Sequence, residues 1–383
     1  MYLLLLAIIY LAFISLGLPD STLGAAWPTI YSEFNIPISY MGIVSMIISG
    51  GTIISSLLTD RVVAKFNTQK VTVVSIFLTA AALFGFSVSD EFYQLCLWAI
   101  PYGFGAGAID AAMNNYVALH YNSRHMSWLH CFWGVGTIIS PYIMSYALTH
   151  EGWQSGYRAV SLIQILIAIT VLLSFPLWKV NKSKNQEEVA VKPVGLGAAI
   201  KIPGAAAIFI GFFAYCAAEA TAMLWTSSYF EGVFEVSKEE AATLGSLFFI
   251  GITGGRFLSG LISEKLGDRR MIRLGTVIAF VGIMLIAIPV KEVAIIGFVT
   301  VGIGCAPIYP SIIHSTPIRF GQEKSQSIIG IQMASAYLGS TLMPPLFGLI
   351  ANHITISLMP LYLSVFLALM IVMLIRADKK TLI

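Results

Sequence analysis

The sequence predicts an all-α membrane protein with twelve transmembrane helices in two pseudo-symmetric six-helix bundles. Three observations lead to this fold: an apolar composition, twelve apolar segments of membrane-spanning length, and an internal repeat. Hydrophobic residues make up 57% of the chain and charged residues only 11%, whereas soluble domains carry about 25% charged residues. Lipid is therefore expected to surround most of the chain.

Twelve segments are long and apolar enough to cross a bilayer. A spanning helix needs about 20 mainly apolar residues, because the hydrocarbon layer is about 30 Å thick and each helical residue rises about 1.5 Å. Met1 and Tyr2 lead directly into apolar residues without a basic region, so the first segment is expected to be a retained span and not a cleaved signal. The predicted spans, in order, are 3–30, 39–59, 70–89, 92–119, 126–149, 156–178, 202–230, 239–263, 270–290, 293–318, 325–351 and 354–376.

The basic residues predict the orientation of these spans. If both termini face the cytoplasm, 18 of the 22 Lys and Arg residues fall in inner loops and tails, and only Arg158, Lys238 and Lys291 fall outside. Such a bias is typical of cytoplasmic loops. We therefore expect a multi-pass protein of the plasma (inner) membrane with both termini in the cytoplasm. The polar segment 179–201 is the predicted cytoplasmic linker between an N-terminal bundle, 1–178, and a C-terminal bundle, 202–383.

An internal repeat relates the two halves. Gly51 and Asp60 in the second span correspond to Gly255 and Glu264 in the eighth, at a constant offset of 204 residues. Similar offsets relate the fourth span to the tenth, the fifth to the eleventh, and Asp20 in the first span to Glu219 in the seventh. Parallel duplicated bundles of this kind place a ligand site between them, near the middle of the membrane.

Three carboxylic acids near the middle of spans are the expected proton-coupling residues, namely Asp20, Asp110 and Glu219. A charge at the centre of a spanning helix costs about 2.5 to 3.5 kcal/mol, so these groups are expected to face a cavity or a partner. Asp110 shares a helix face with Asn114, four residues later. Pro19, beside Asp20, is expected to interrupt the first helix and free backbone groups there, and Pro307 and Pro310 are expected to do the same in the tenth span.

Aromatic and amide side chains in the spans suit a polar solute such as a sugar, because flat apolar surfaces cover its C–H faces and amides bond its hydroxyls. His130 is a further candidate, either as a proton relay or as part of an interfacial aromatic belt. The predicted substrate-binding residues are Asn114, His130, Trp133, Gln164, Trp225, Tyr309, Gln332 and Tyr337.

The segment Gly260-Leu-Ile-Ser-Glu264-Lys265-Leu-Gly267-Asp-Arg269-Arg270 resembles the loop signature of the major facilitator superfamily. Its copy in the first half keeps Asp60 and Arg61 but has lost the glycines. The resemblance implies gating contacts at this face, and Arg256 is expected to join the charges around Asp60, Arg61 and Glu264. The predicted gating residues are Asp60, Arg61, Arg256, Glu264, Lys265 and Arg269.

A narrower resemblance is to the fucose permease branch, whose members are proton-coupled sugar symporters and their sodium-coupled relatives. Three segments carry it: Gly17-Leu-Pro19-Asp20, Gly103-Phe-Gly105-Ala-Gly107 with Asp110 and Asn114, and Leu129-His130-Cys-Phe132-Trp133-Gly-Val-Gly136. In that branch, acids in the first and fourth spans serve the proton and the sugar, which implies these roles for Asp20 and Asp110. The amide positions of the branch in the fifth span fall on His130 and Trp133, which are not amides.

The expected function is secondary active transport, most simply proton-coupled symport of a monosaccharide by alternating access. Sodium-coupled sugar symport, proton-coupled efflux of amphipathic compounds, and a non-transporting membrane sensor are the alternatives. An enzyme is not expected, because no nucleophile with its base and no metal-ligand cluster occurs at suitable spacing. We expect a monomer in the lipid bilayer, without a cofactor or a bound metal, and the small net charge of +3 does not indicate a nucleic-acid partner.

Overall fold

The computed structural model describes residues 2–178 and 193–381, and in these residues the chain is helical, as predicted. Residues 179–192 of the predicted linker lie outside the described residues. The principal helices are Tyr2–Gly17, Thr22–Glu33, Met41–Phe66, Thr68–Ser87, Phe92–His120, Ser123–His150, Trp153–Leu173, Leu196–Ala199, Ala205–Phe234, Lys238–Leu266, Asp268–Ile286, Lys291–Cys305, Ile308–His314, Thr316–Phe320, Gln322–His353 and Met359–Asp378.

Eleven segments of the described residues are long and apolar enough to cross a membrane, each close to a predicted span. The remaining predicted span, the ninth, forms the helix Asp268–Ile286, which has 19 residues. Its first six residues include Asp268, Arg269, Arg270 and Arg273, so its apolar part is shorter than that of the other spans. We number the spans as predicted, with this helix as the ninth.

The first span is interrupted where the sequence places Pro19 and Asp20. Its first helix ends at Gly17 and its second begins at Thr22. The Asp20 N–H bonds the Gly17 carbonyl at 3.2 Å and the Thr22 N–H bonds the Pro19 carbonyl at 3.1 Å, which makes a tight turn between the two helices. The tenth span has a second interruption, between Cys305 and Ile308. The breaks occur at Pro19 and Pro307, as predicted, whereas Pro310, which was also expected to interrupt the tenth span, lies within the helix Ile308–His314.

Two glycines show that the internal repeat extends to helix packing. A Cβ atom at Gly136 in the fifth span would overlap the carbonyl oxygen of Ile14 in the first span. A Cβ atom at Gly339 in the eleventh span would likewise overlap the carbonyl oxygen of Phe213 in the seventh. Ile14 and Phe213 stand 199 residues apart, the same offset as Asp20 and Glu219. The two halves therefore pack corresponding helices backbone to backbone at corresponding points.

The loop signature keeps its backbone conformation in both halves, although the glycine is present only in the second. Gly267 has φ 73° and ψ 159°, and Asn67 has φ 69° and ψ 154°. Glycine adopts this combination of angles readily, whereas a residue with a side chain is strained there by about 1 to 3 kcal/mol. Asn67 follows Asp60 by seven residues, whereas Gly267 follows Glu264 by three. The first copy thus contains about one additional helical turn after its acid.

The chain divides into two compact units whose boundaries differ from the predicted halves. The first unit comprises Met1–Tyr116, Leu129–Val194 and Gln322–Met333, and the second comprises Val117–Trp128, Gly195–Gly321 and Ala334–Ile383. The beginning of the eleventh span therefore belongs to the first unit, and the beginning of the fifth span to the second. The division of the sequence at 179–201 stays a prediction.

Candidate functional site

Asp20 lies in the break of the first span, where two uncharged side chains hold its carboxylate. The Tyr102 hydroxyl donates to Oδ1 at 3.1 Å, and the Trp133 indole N–H donates to Oδ2 at 2.8 Å. Asp20 remains exposed, and within the described residues it forms no ion pair. A carboxylate offers about four acceptor positions, so Asp20 retains positions for further donors.

Close packing of the first and fifth spans brings Trp133 to Asp20. Gly17, the last residue before the break, lies against the backbone carbonyl of Trp133, and a Cβ atom at Gly17 would overlap that oxygen. The absence of a side chain at Gly17 lets the two backbones approach. The indole of Trp133 then reaches the carboxylate three residues after Gly17 in the chain.

A second polar centre is a buried chain of hydrogen bonds formed by Asp110, Asn114 and His130. Asn114 Nδ2 donates to Asp110 Oδ1 at 2.7 Å, and Asn114 Oδ1 lies 3.1 Å from His130 Nε2. Because an amide oxygen only accepts hydrogen bonds, His130 Nε2 carries a proton in this arrangement. The three side chains are 4%, 0% and 5% exposed, respectively. The sequence predicted the pairing of Asp110 with Asn114 but not the partner of His130.

The two centres lie at different depths of the first unit. Tyr102, which binds Asp20, precedes Asp110 by eight residues on the same helix. Eight helical residues span about 12 Å along the axis. Asp20 and Asp110 therefore belong to two separate polar environments, one exposed and one buried.

Glu219 forms a buried ion pair with Arg256 in the second unit. Arg256 Nη2 lies 3.1 Å from Glu219 Oε1, and the two residues are 5% and 9% exposed. The sequence placed Arg256 among the charges around Asp60, Arg61 and Glu264, so this partner is a correction. Arg256 precedes Glu264 by eight residues, about 12 Å along the helix, and is therefore placed deeper than the loop charges.

The ion pair also distinguishes the two halves of the repeat. Glu219 corresponds to Asp20, but Arg256 corresponds to Thr52, whose hydroxyl bonds the Ile48 carbonyl of its own helix. The position in the first half that corresponds to Arg256 is therefore occupied by an uncharged threonine and not by a cation. Corresponding acids thus have different electrostatic surroundings.

The two glutamines predicted to bind substrate are buried. Gln164, in the sixth span, is 1% exposed and donates from Nε2 to the backbone carbonyl of Ser15 at 2.6 Å. Gln332 is 0% exposed and belongs to the first unit. The donor group of Gln164 is therefore bound to the first span in this structure, and its contact with substrate stays a prediction.

The three aromatic candidates of the second half belong to the second unit. The Trp225 indole N–H donates to the Pro344 carbonyl at 3.0 Å, so its polar group already has a partner. Tyr309 packs on Phe212 with ring centroids 4.7 Å apart, and Tyr337 is half-buried. Their roles in substrate binding stay predictions.

The acids predicted to act in gating bind polar partners from distant parts of the chain. Asp60 is buried, and its Oδ2 accepts the Ser327 hydroxyl at 2.6 Å and the Val194 N–H at 3.2 Å. Glu264 pairs with Arg124 at 2.9 Å and accepts a hydrogen bond from Asn122 at 3.2 Å. Of the remaining predicted gating residues, Arg269 pairs with Asp378 at 3.0 Å, and Arg61 and Lys265 are exposed.

Several residues of these networks were missed in the sequence. Asn115 bonds Gln326 at 2.9 Å and accepts the Ser325 hydroxyl at 2.6 Å, and all three side chains are buried. His314 lies 2.7 Å from Asp268 through Nδ1 and 3.0 Å from the Tyr121 carbonyl through Nε2. These partners lie between 46 and 211 residues apart. No local spacing in the sequence indicates contacts over such separations.

Comparison with known proteins identifies the family. The family model of the Major Facilitator Superfamily matches residues 9–237 and 207–382, which together cover nearly the whole chain. The chain belongs to the major facilitator superfamily. It is therefore a multi-pass membrane transporter and not an enzyme, and the predicted all-α fold of this superfamily is confirmed.

Individual members of the superfamily match at low identity but over nearly the full length. The glucose/mannose transporter GlcP of Bacillus subtilis is 21% identical over 368 residues, covering 91% of this chain and 88% of the relative. FucP, the fucose:proton symporter of E. coli, has a solved structure with a TM-score of 0.80 at 15% identity, covering 98% of this chain and 99% of that one. The proton:xylose symporter XylE gives a TM-score of 0.79 at 12% identity, with coverage of 97% and 94%. At these identities the structural matches establish the fold.

Proposed function

We propose that this transporter is a proton-coupled symporter of a monosaccharide that works by alternating access. The observation that carries the proposal is the carboxylate of Asp20, which is exposed in the break of a spanning segment and held by the uncharged donors Tyr102 and Trp133. A carboxylate facing lipid would be costly. We therefore infer that Asp20 faces the aqueous path of the solute.

The surroundings of Asp20 suit a sugar hydroxyl. Its free acceptor positions can take an O–H group, and the adjacent Trp133 supplies a flat apolar face for the C–H groups of a sugar ring. Among the described residues no cation neutralises Asp20, so a proton that binds there changes the charge of the site. Occupancy by solute and by a proton would therefore be linked at one carboxylate.

The buried chain of Asp110, Asn114 and His130 supports proton coupling through a second group. Asp110 bonds a neutral amide, and His130 is the next titratable side chain along the chain of hydrogen bonds. A histidine can gain or lose a proton near physiological pH. We assign proton exchange to Asp110; Asn114, whose amide does not itself take up a proton, connects it to His130 by hydrogen bonds.

The sugars for which similar transporters are named agree with a monosaccharide: glucose and mannose for GlcP, fucose for FucP and xylose for XylE. These assignments belong to those proteins, and for this chain they support the choice of solutes to test. We further propose that the protein resides in the plasma membrane as a monomer with both termini in the cytoplasm, as the distribution of basic residues indicates.

The proposal is tested with purified protein in liposomes and a panel of labelled solutes that includes glucose, mannose, fucose and xylose. Inward gradients of protons and of sodium are imposed separately. We expect accumulation of at least one monosaccharide with a proton gradient and none with sodium alone. If accumulation requires a sodium gradient, the coupling ion is sodium and not the proton. If no sugar is accumulated but an amphipathic cation is exported, the symport proposal is wrong and the protein is an efflux transporter.

Asp20→Asn tests the site itself. The amide keeps the shape of the side chain but cannot bind a proton as a carboxylate does, so we expect proton-driven accumulation to be lost. Asp90→Asn is the matched control, because Asp90 is exposed in a loop and lies outside the site. Equal accumulation by the Asp20 variant and the Asp90 variant would remove Asp20 from the mechanism.

A further inference from the structure

The break in the first span leaves a backbone carbonyl without its helical partner. In an α-helix each carbonyl accepts the N–H of the residue four positions later. The carbonyl of Ile14 does so, since the Leu18 N–H bonds it at 2.9 Å. The next carbonyl, of Ser15, would bond residue 19, which is Pro19 and has no N–H. Pro19 therefore leaves the buried carbonyl of Ser15, five residues before Asp20, without a donor from its own helix.

Gln164 supplies the missing donor. Its Nε2 lies 2.6 Å from the Ser15 carbonyl, and both residues are 1% exposed. Gln164 Oε1 is also buried and finds no donor within residues 2–178 and 193–381. A buried amide that leaves its own oxygen without a partner is costly. The hydrogen bond to the Ser15 carbonyl is therefore what explains the buried position of Gln164.

That bond anchors the turn which carries Asp20. The fifth span contacts the last residue before the turn through Gly17 and Trp133, and the sixth span bonds the helix end two residues earlier through Gln164 and Ser15. Asp20 follows the bonded carbonyl by five residues. A shift of the turn would change the reach of Asp20 to Tyr102 and Trp133, whose bonds are 3.1 and 2.8 Å long.

We propose that Gln164 is a positioning residue for Asp20: by replacing the backbone donor that Pro19 lacks, it sets where the first span breaks and where the Asp20 carboxylate points. The inference rests on the proposed role of Asp20 in transport. In this proposal Gln164 does not contact the solute. It supports Asp20, which does.

The test is a double-mutant cycle between Gln164→Met and Pro19→Ala. Methionine keeps the length and volume of the side chain but removes the donor, whereas alanine at position 19 restores the backbone N–H. We expect Gln164→Met to lower the maximal rate of solute uptake about five- to tenfold, as the loss of one buried hydrogen bond predicts. In the Pro19→Ala background the same substitution should have little further effect, because Ser15 then has its own partner.

A readout without solute separates this inference from the proposed function. Modification of Asp20 by a hydrophobic carbodiimide, measured by mass spectrometry over a range of pH, reports the surroundings of its carboxylate. We expect the pH profile of Asp20 to change in Gln164→Met and to be unchanged in Gln94→Met, a control at the start of the fourth span. The inference would be overturned if Gln164→Met left both the labelling of Asp20 and the uptake rate unchanged. It would also be overturned if Gln164→Met lowered the uptake rate by the same factor in the wild type and in Pro19→Ala. Failure of the wild type to accumulate any sugar would overturn only the proposed function.

Discussion

Asp110→Asn is expected to uncouple the transporter from protons. The substitution preserves volume and the possibility of bonding Asn114, but it removes the group that takes up and releases a proton. Accumulation driven by a proton gradient should be abolished, while exchange of labelled for unlabelled solute across the membrane should persist. Both rates are measured in the same liposomes, so that loss of coupling is separated from loss of binding.

The exposed Asp90→Asn variant again serves as the control for this experiment, since it makes the same chemical change outside the buried chain. If Asp110→Asn accumulates solute as the wild type does, proton exchange at Asp110 is wrong and Asp20 alone would have to account for coupling. Loss of exchange as well as accumulation would mean that Asp110 also supports solute binding.

The buried pair Glu219 and Arg256 is expected to matter for stability as a unit. Removing one partner leaves an uncompensated buried charge, which costs about 3 to 5 kcal/mol. Glu219→Gln alone should therefore lower the midpoint of thermal unfolding more than the double variant Glu219→Gln with Arg256→Gln. Unfolding of the purified variants in detergent, followed by tryptophan fluorescence, gives the comparison.

Lys291 and Glu240 provide a matched control pair. They also form an ion pair, at 3.0 Å, but both side chains are exposed, at 36% and 45%. Exposed pairs contribute about 0 to 1 kcal/mol, so Glu240→Gln should leave the unfolding midpoint nearly unchanged. A Glu219→Gln variant that is as stable as Glu240→Gln would show that the buried pair carries no excess stability.

The sequence predicted side-chain contacts within one helix and missed those between helices. Asn114 follows Asp110 by four residues, a spacing that places both on one face of any α-helix. Arg256 and Glu219 lie on different spans, 37 residues apart, and their contact depends on how the seventh and eighth helices pack. Gln164 shows the same limit, because its partner is a backbone carbonyl 149 residues away.

Helix breaks were predictable because proline acts locally. Pro19 removes one backbone donor and Pro307 another, and in both places the helix is interrupted within two residues. Proline alone is not sufficient, since Pro101 and Pro141 lie within continuous helices. In the first span the break also has Gln164 to satisfy a freed carbonyl, a compensation that no local pattern indicates.

Backbone contact between spans makes one glycine intolerant of any side chain. In Gly136→Ala the added Cβ would overlap the Ile14 carbonyl and lie 2.9 Å from the Leu18 nitrogen, so the first and fifth spans would have to move apart. Overpacking of this kind costs about 1 to 3 kcal/mol. We expect a lower unfolding midpoint in detergent and weaker solute binding, since Trp133 would move away from Asp20.

Gly24→Ala is the control for that substitution. Gly24 lies in the helix Thr22–Glu33, and nothing lies within 4 Å of a Cβ atom added there. Replacing a helical glycine by alanine stabilises by about 0.4 to 1 kcal/mol. Gly24→Ala should therefore be as stable as the wild type or more stable. The packing argument fails if Gly136→Ala matches Gly24→Ala in stability.

The overall architecture followed from composition and repetition, which do not depend on the details of packing. A spanning helix satisfies nearly all its backbone hydrogen bonds within itself, so hydropathy locates it from sequence alone. The ninth span was predicted with the others although its charged first turn reduces its hydropathy. The two compact units could not be predicted, because parts of the fifth and eleventh spans belong to units other than those their order in the chain suggests.

The orientation of the whole molecule is the remaining prediction from the distribution of basic residues. Single cysteines at Asp90 and Lys379 test it, because both positions are exposed and lie on opposite sides if the bias of 18 residues to 3 sets the topology. The four native cysteines are first replaced by alanine in a chain that retains transport. With a membrane-impermeant maleimide, Asp90→Cys should react in intact cells, and Lys379→Cys should react only after permeabilisation. The reverse pattern would place both termini outside the cell. Reaction at both positions in intact cells would mean that an even number of spans separates residues 90 and 379, which contradicts the nine spans predicted between them.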